Sequence, residues 1–252
     1  MTPRLVAYDE RMHMDVARNA LLGALPGAEL ERLEPYLKKV ALTPGQRLLN
    51  SGEPLSQLYF PLEGAVSRLV HLITGETVEA GIVGSDGVVG LPVALGGTHS
   101  YGIAEVQAAG SAVCLSAADY AEHVRASQSP LFEALVLYTN FYIAMLTQLT
   151  ACHCVHRIER RLSRLILTLD DRTANGAVRV THDTLAEFLG VHRPSVTYAL
   201  QALAETGSLR SERRRIAILD RPALERHACE CYTGIREATG AAIQQIKKHL
   251  RV

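Results

Sequence analysis

The segment THDTLAEFLGVHRPSVTYALQALAETGSLRSERRRIAILDR, residues 181–221, constrains the fold more than any other part of the chain. Leu185, Phe188 and Leu189 form one apolar face of a short helix. Thr181 is placed to cap it, and Asp183 lies in its first turn on the favourable side of the helix dipole. Gly190 supplies the left-handed residue that ends it, and Pro194 suits the first turn of a second helix. Val196, Ala199, Leu200 and Leu203 recur at 3–4 spacings in that second helix, which Gly207 stops. Two helices crossing steeply need a small residue at the crossing, a glycine in the turn and a buried branched residue early in the second helix. Ala186, Gly190 and Val196 meet those needs. Ser208–Arg210 and Ile216–Leu219 read as a hairpin joined by residues 211–215, so the segment is expected to be a winged helix-turn-helix.

The outward side of the second helix carries Arg193, Thr197, Tyr198 and Gln201. Arg can grip guanine with two hydrogen bonds, Gln can grip adenine and Thr can touch a thymine methyl, so this face suits a major groove. Ser195, near the helix N-terminus, is placed for a phosphate, and Arg213, Arg214 and Arg215 place three cations on the wing. Lys+Arg 26 balance Asp+Glu 26 over the 252 residues, which excludes a polycation that coats nucleic acid by bulk charge. The positive charge is local instead. A winged helix used only for protein contacts is the alternative.

Upstream the texture changes twice. Leu21, Leu22, Leu25, Leu30 and Leu33 imply short helices over residues 20–35. Between Tyr36 and Ser116, short apolar runs at 40–42, 58–60, 65–72, 78–83, 103–106 and 112–115 alternate with turn signals. Pro44-Gly45, Ser51-Gly52, Glu63-Gly64, Thr74-Gly75, Ser85-Asp86-Gly87 and Gly96-Gly97 are those signals, and the pattern predicts an antiparallel barrel or roll. From Ser129 to about Asp171 one long helix is expected. Leu135, Tyr138, Tyr142, Met145, Leu149, Cys152 and His156 mark a 3–4 seam, and Phe132, Leu135, Thr139, Tyr142, Leu146 and Leu149 an adjoining one. Two seams call for two partners: the roll, and the same helix of a second chain. A helix buried within one subunit is the other solution. Ala134–Val155 lacks formal charge and is long enough to span a bilayer, but Thr139, Asn140, Thr147, Gln148, Thr150 and His153 argue against insertion.

Five cysteines, Cys114, Cys152, Cys154, Cys229 and Cys231, are an odd and small number, which suits a reducing compartment. The first 19 residues show no apolar leader, so a cytoplasmic protein is expected, with no membrane partner. In both CxC pairs, residues two apart on a helix would diverge and could not share a metal; Cys152 and His156 could share a face. Their expected place is the helix seam, with no metal site assigned and a redox or metal switch as the alternative. Residues 222–250 form an amphipathic helix whose stripe includes Leu224, Cys231, Ile235, Ala242, Ile243, Ile246 and Leu250. It is expected to pack on the DNA-binding unit or the long helix, a partner-binding helix being the alternative.

In this order, roll, long helix and winged helix resemble the Crp/Fnr family of bacterial transcription regulators. Residues 181–209 carry the resemblance most specifically, supported by PGQRLLNSGEPLSQLYFPLEGAVSRL at 44–69 and RRLSRLILTLDDR at 160–172. The resemblance implies an α+β fold: helices and a cyclic-nucleotide-binding-like antiparallel β-roll at 1–128, a dimerisation helix and hinge at 129–172, and a winged helix-turn-helix with an extra C-terminal helix at 173–252. It implies a homodimer on double-stranded DNA, with RNA polymerase and a small-molecule effector as further candidate partners. Where relatives carry Glu and Arg on the recognition helix this chain has Pro194 and Tyr198, which implies a different operator. Gly90-Leu91 and His99-Ser100 stand where cyclic-AMP-binding relatives hold ribose and phosphate. They mark the candidate effector pocket, and without a carboxylate or guanidinium there cyclic AMP is not the expected effector. With no cysteine before Cys114, an iron–sulfur cluster of the N-terminal cysteine type is not carried over, and the cofactor stays unassigned. An enzyme is not expected, since no catalytic constellation, phosphate loop or dinucleotide fingerprint appears. A sensor acting through protein partners is the remaining alternative.

Overall fold

The computed structural model describes residues 16–173 and 177–250. The readings of the first fifteen residues and of the Asn175-Gly176 helix stop lie outside the described residues. The N-terminal leucines build a 3-10 turn at Leu22–Ala24, helix α1 at Gly27–Leu33 and a second 3-10 turn at Glu34–Tyr36. Strands β1 (Lys38–Leu42), β2 (Arg47–Leu49), β3 (Gln57–His71), β4 (Thr77–Val83) and β5 (Ile103–Ser116) follow. They form one antiparallel sheet in the order β1-β5-β3-β4, with β2 also on β5. Apolar side chains such as Leu58, Phe60, Val66, Val106, Val113 and Leu115 fill its interior.

Two expected strand breaks are absent. The runs at 58–60 and 65–72 belong to one strand, β3, and those at 103–106 and 112–115 to another, β5. Glu63-Gly64 is not a turn but an irregularity in the β3–β5 ladder, whose register shifts between Pro61 and Val66. Glycine is needed because the strands approach closely: a Cβ on Gly64 would lie 2.6 Å from the Ala108 carbonyl oxygen.

The short helix α2 (Ala117–Asp119) and a π-helical turn at Tyr120–Arg125 lead into the long helix α3 (Pro130–Val155). The single helix expected to about Asp171 is in fact two, because His156 and Arg157 are extended and helix α4 (Ile158–Asp170) starts afresh after Arg157. Strand β6 (Ala177–Val178), helices α5 (His182–Leu189) and α6 (Arg193–Glu205), and strands β7 (Leu209–Glu212) and β8 (Arg215–Ile218) make the predicted winged helix-turn-helix. Its sheet runs β6-β8-β7. The C-terminal segment is also interrupted, giving α7 (Arg221–His227) and α8 (Cys231–Leu250). Helix α8 lies along α3, and its Ile243 and Ile246 join the core of the roll. Helix α3 is long and apolar enough to cross a membrane, but Leu131, Leu135, Tyr138, Met145 and Leu149 are buried within the chain.

Candidate nucleic-acid interface

Local chemistry sets the angle between α5 and α6. The Thr181 hydroxyl accepts a hydrogen bond from the Thr184 amide at 3.0 Å and so caps α5. Gly190 closes that helix at φ 61°, a left-handed conformation costly for other residues. Pro194 lies in the first turn of α6, and Val196, Ala199, Leu200 and Leu203 are buried beneath it.

The opposite side of α6 is the more open one. Arg193 and Gln201 are exposed, and Tyr198 retains 71% of its surface. Ser195 and Thr197 are half-buried, and the Thr197 hydroxyl is engaged with the Arg193 carbonyl at 3.3 Å. The Arg193 Nε rests 3.3 Å from an Asp183 carboxylate oxygen, with both side chains mostly exposed. Such an open pair contributes at most about 1 kcal/mol, so exchanging the carboxylate for a guanine edge costs little. The wing turn is tighter than the five-residue loop expected: Glu212 pairs with Arg215, leaving only Arg213 and Arg214 between the strands. Arg214 adopts φ 61°. Glycine or asparagine would adopt that conformation at lower cost.

His182 ties the parts together, and nothing in the sequence reading singles it out. Its Nδ1 lies 3.1 Å from the Thr197 hydroxyl and its Nε2 3.1 Å from the Ser211 hydroxyl. One imidazole thus links the first helix, the recognition helix and the wing. No motif announces such a residue. Arg193, Asp183, Arg213 and Arg214 share with it an open cleft of about 420 Å³.

The helix-turn-helix is docked on the roll. A Cβ at Gly190 would meet the Val78 side chain at 3.2 Å, and Arg172 pairs with Asp86. One apolar core runs from Leu69, Ile82 and Ile103 of the roll through Leu162 and Ile166 of α4 to Phe188 and Leu200. Beside this junction Glu79 is 3% exposed, with the Ser67 hydroxyl donating to it at 3.3 Å. Burial pushes its carboxyl from 4.5 up to about 7, against the opposing pull of Arg164 and Arg172. The folded chain therefore binds more protons than the unfolded one between these values, and stability falls as pH rises through that window. Glu79→Gln is expected to remove this loss, on the order of 3 kcal/mol when the whole shift is counted. In urea denaturation the variant should gain on the wild type from pH 5 to pH 8; a difference independent of pH would refute the assignment.

The candidate effector positions differ in exposure. Leu91 and Ser100 are buried, His99 is exposed, and the Ser100 hydroxyl donates to the Gly102 carbonyl at 2.6 Å. A Cβ on Gly90 would strike the Gln57 carbonyl oxygen at 2.6 Å, so that glycine serves close backbone packing. A larger cavity of about 520 Å³ lies elsewhere, between the roll and the DNA-binding unit, and is lined by Glu63, Gln107, Leu169, Arg179 and Phe188 among others.

Of the two seams expected on α3, the first is covered within the chain. Leu135, Tyr138, Met145, Leu149 and Cys152 are buried inside the chain and Tyr142 and His156 are half-buried, because roll and α8 cover that side of α3. Met145 and Leu149 face Gly81 of β4. In the second seam Phe132, Thr139, Tyr142 and Leu146 are half-buried. Val136, Asn140, Ile143, Thr147, Thr150 and Cys154 form an exposed stripe, again at alternating spacings of 4 and 3, beside which Ala144, Gln148, Ala151 and Val155 are exposed too.

Cys152, His156, Cys229 and Cys231 come together, their ligand atoms all within 4.8 Å of one another. The objection to Cys229 and Cys231 fails because α8 starts only at Cys231, so the pair is not on one continuous helix. The Cys229 thiol beside Cys152 lowers the Cys152 pKa, with Arg164 adding to the effect, and the same contact raises that of Cys229.

Residues 160–227 match the family of the Crp-like helix-turn-helix domain. Among solved structures, the chain is similar to FixK2 from Bradyrhizobium japonicum, at 18% identity and TM-score 0.64 over 77% of this chain and 98% of that one. It is also similar to the c-di-GMP responsive global regulator CLP of Xanthomonas campestris, at 17% identity and TM-score 0.62 over 77% and 99%. A CRP-family transcriptional regulator from Thermus thermophilus aligns at 23% identity and TM-score 0.59 over 75% and 95%. At these identities the likeness is one of fold. No curated protein matches the chain by sequence.

Proposed function

We propose that this chain, a Crp/Fnr-type DNA-binding transcription regulator by its Crp-like helix-turn-helix domain, acts as a cytoplasmic homodimer on a two-fold symmetric operator. Regulators of this family are not enzymes. The observation that carries the reading is the shared cleft that holds Arg193 of the recognition helix and Arg213 and Arg214 of the wing tip. A helix in the major groove and a wing on the flanking backbone need that juxtaposition. Arg193 and Gln201 would read base edges, Tyr198 and Thr197 would add apolar contact, and Ser195 with Arg213, Arg214 and Arg215 would hold phosphates.

The stripe from Val136 to Cys154 supports pairing with the same helix of a second copy, since an exposed 3–4 repeat that includes Val136 and Ile143 fits a two-helix seam. Two subunits then present recognition helices to successive major grooves, roughly 34 Å apart. Regulation would act on the contacts of Val78, Asp86 and Arg172, which hold the DNA-binding unit against the roll. A small molecule that favours one docking over another shifts the population able to span the operator. Cyclic AMP is a poor candidate, because Ser100 is already engaged and the Gly90 position is filled by backbone. RNA polymerase is the expected protein partner at a promoter.

Selection from a random duplex pool, followed by fluorescence anisotropy at fixed salt, tests the reading. Arg193→Ala should cost about 1–3 kcal/mol per half-site on the selected operator and little on unrelated DNA. Arg214→Ala should weaken every duplex alike and reduce the salt slope by about one per subunit. If the pool yields no preferred sequence, or Arg193→Ala binds it as the wild type does, the proposal fails.

A further inference from the structure

The geometry points to a tetrahedral site for one zinc-like, thiophilic divalent cation, formed by Cys152, His156, Cys229 and Cys231. Cys152 lies in the last turn of α3 and His156 just past it, while Cys229, 77 residues after Cys152, sits in the turn between α7 and α8 and Cys231 opens α8. Cys152 Sγ lies 3.5 Å from Cys229 Sγ, and Cys231 Sγ lies 3.7 Å from His156 Nδ1. Zinc bonds of about 2.3 Å to sulfur and 2.0–2.1 Å to nitrogen place neighbouring tetrahedral ligands roughly 3.5–3.8 Å apart. Two edges of the set already have that length, and the others, none above 4.8 Å, need only small side-chain rotations to close.

The surroundings are those of a ligand set rather than of an apolar core. His156 turns Nδ1 toward the thiols while its Nε2 lies 3.1 Å from a Glu230 carboxylate oxygen. That carboxylate fixes the proton on Nε2 and leaves Nδ1 free to bind, the arrangement metal-bound histidines use. Gln148 donates from Nε2 to Cys231 Sγ at 3.1 Å, a contact a thiolate accepts well. Three thiolates and a divalent cation leave one negative charge, and the buried Arg164 supplies positive potential at Cys152. The three sulfurs form an apolar cluster of their own with Ile235, separate from the two main cores. Binding replaces the three thiol protons, which pass to buffer, with no change of oxidation state.

An ion here would pin the α7–α8 turn to the end of α3, at the break where the chain turns toward the DNA-binding unit. Its binding rests on the cluster alone and not on the operator reading. The test uses the reduced, untagged full chain titrated with Co²⁺ under anaerobic conditions. Intense ligand-field absorption of tetrahedral thiolate coordination is expected, saturating at one equivalent per chain and bleached by one equivalent of Zn²⁺. Zn²⁺ should also raise the Tm. Cys229→Ser and Cys231→Ser should abolish the absorption, and Cys154→Ser, outside the cluster, should keep it. Glu230→Gln, which acts by positioning His156, should weaken affinity about 10–100-fold while retaining the spectrum. The wild-type titration stands even if a cysteine variant misfolds. Pale octahedral absorption, a Tm unmoved by Zn²⁺, or a Cys152–Cys229 disulfide in chain alkylated directly from cells would overturn the proposal.

Discussion

A chain carrying Ile143→Glu is expected to run as a monomer and to lose at least about 100-fold in operator affinity while remaining as stable as the wild type. Ile143 is 58% exposed at the middle of the outward stripe of α3, with Val136 and Asn140 on one side and Thr147 and Thr150 on the other. In a two-fold pairing of this helix each substitution acts twice. Burying two isoleucines contributes roughly 1.5–3 kcal/mol each. Two carboxylates in their place must lose hydration beside a like charge, so the dimer constant should weaken by roughly three orders of magnitude or more. A monomer grips one half-site only, and the second ceases to bind as an intramolecular event. Because the side chain faces outward, folding should change by no more than about 0.5 kcal/mol. Sedimentation, operator anisotropy and urea denaturation separate these effects. A variant that stays dimeric would remove α3 as the seam, whereas one that becomes monomeric yet binds the operator undiminished would remove the two-half-site mechanism.

The helix-turn-helix is legible because its rules are local: Thr181 caps, Gly190 turns and Val196 packs, all within a short stretch of chain. The 3–4 burial pattern on α3 is legible too, and it marks the side that the roll and α8 cover. Periodicity reports which residues are buried and not what buries them. Leu135, Tyr138 and Met145 are covered by their own chain, while the outward stripe contains Asn140, Thr147 and Thr150 and gives a weak apolar signal. The break at His156–Arg157 carries neither proline nor glycine to announce it. Cys152 and Cys229 meet across 77 residues, and only the interruption between α7 and α8 lets Cys229 and Cys231 converge. His182 is a polar residue at the start of a helix, and its two hydroxyl partners lie 15 and 29 residues away. Contacts of that range leave no pattern in one sequence.

Glu63-Gly64 is the instructive misreading, and it leads to the largest expected loss of stability. Gly110→Ala should destabilise the chain by about 3 kcal/mol or more, the upper end of what overpacking costs and a large part of the roughly 5–15 kcal/mol typical of a folded domain. A Cβ at Gly110 would lie 2.1 Å from the Glu63 carbonyl oxygen, 2.4 Å from its carbon and 2.8 Å from the Gly64 nitrogen. All three are backbone atoms of β3, so no side chain can rotate out of the way, and the two long strands of the sheet must separate. Gly45→Ala is the matched control: φ is +79° there, but nothing lies within 4 Å of the added methyl. It should cost only the left-handed penalty of about 1–2 kcal/mol. Urea denaturation of both variants measures the difference, and a Gly110→Ala cost no greater than that of Gly45→Ala would show that the ladder yields freely. The damage should not stop at the roll. Glu63, Ala108 and Ala109 at this irregularity line the 520 Å³ cavity whose far wall is Leu169, Val180 and Phe188 of the DNA-binding half. Ala65 of the same strand belongs to the core that continues into α4 and α6. Strands forced apart at Gly110 therefore loosen the surface on which the helix-turn-helix rests, and operator affinity should fall with stability, although no residue near the DNA has changed.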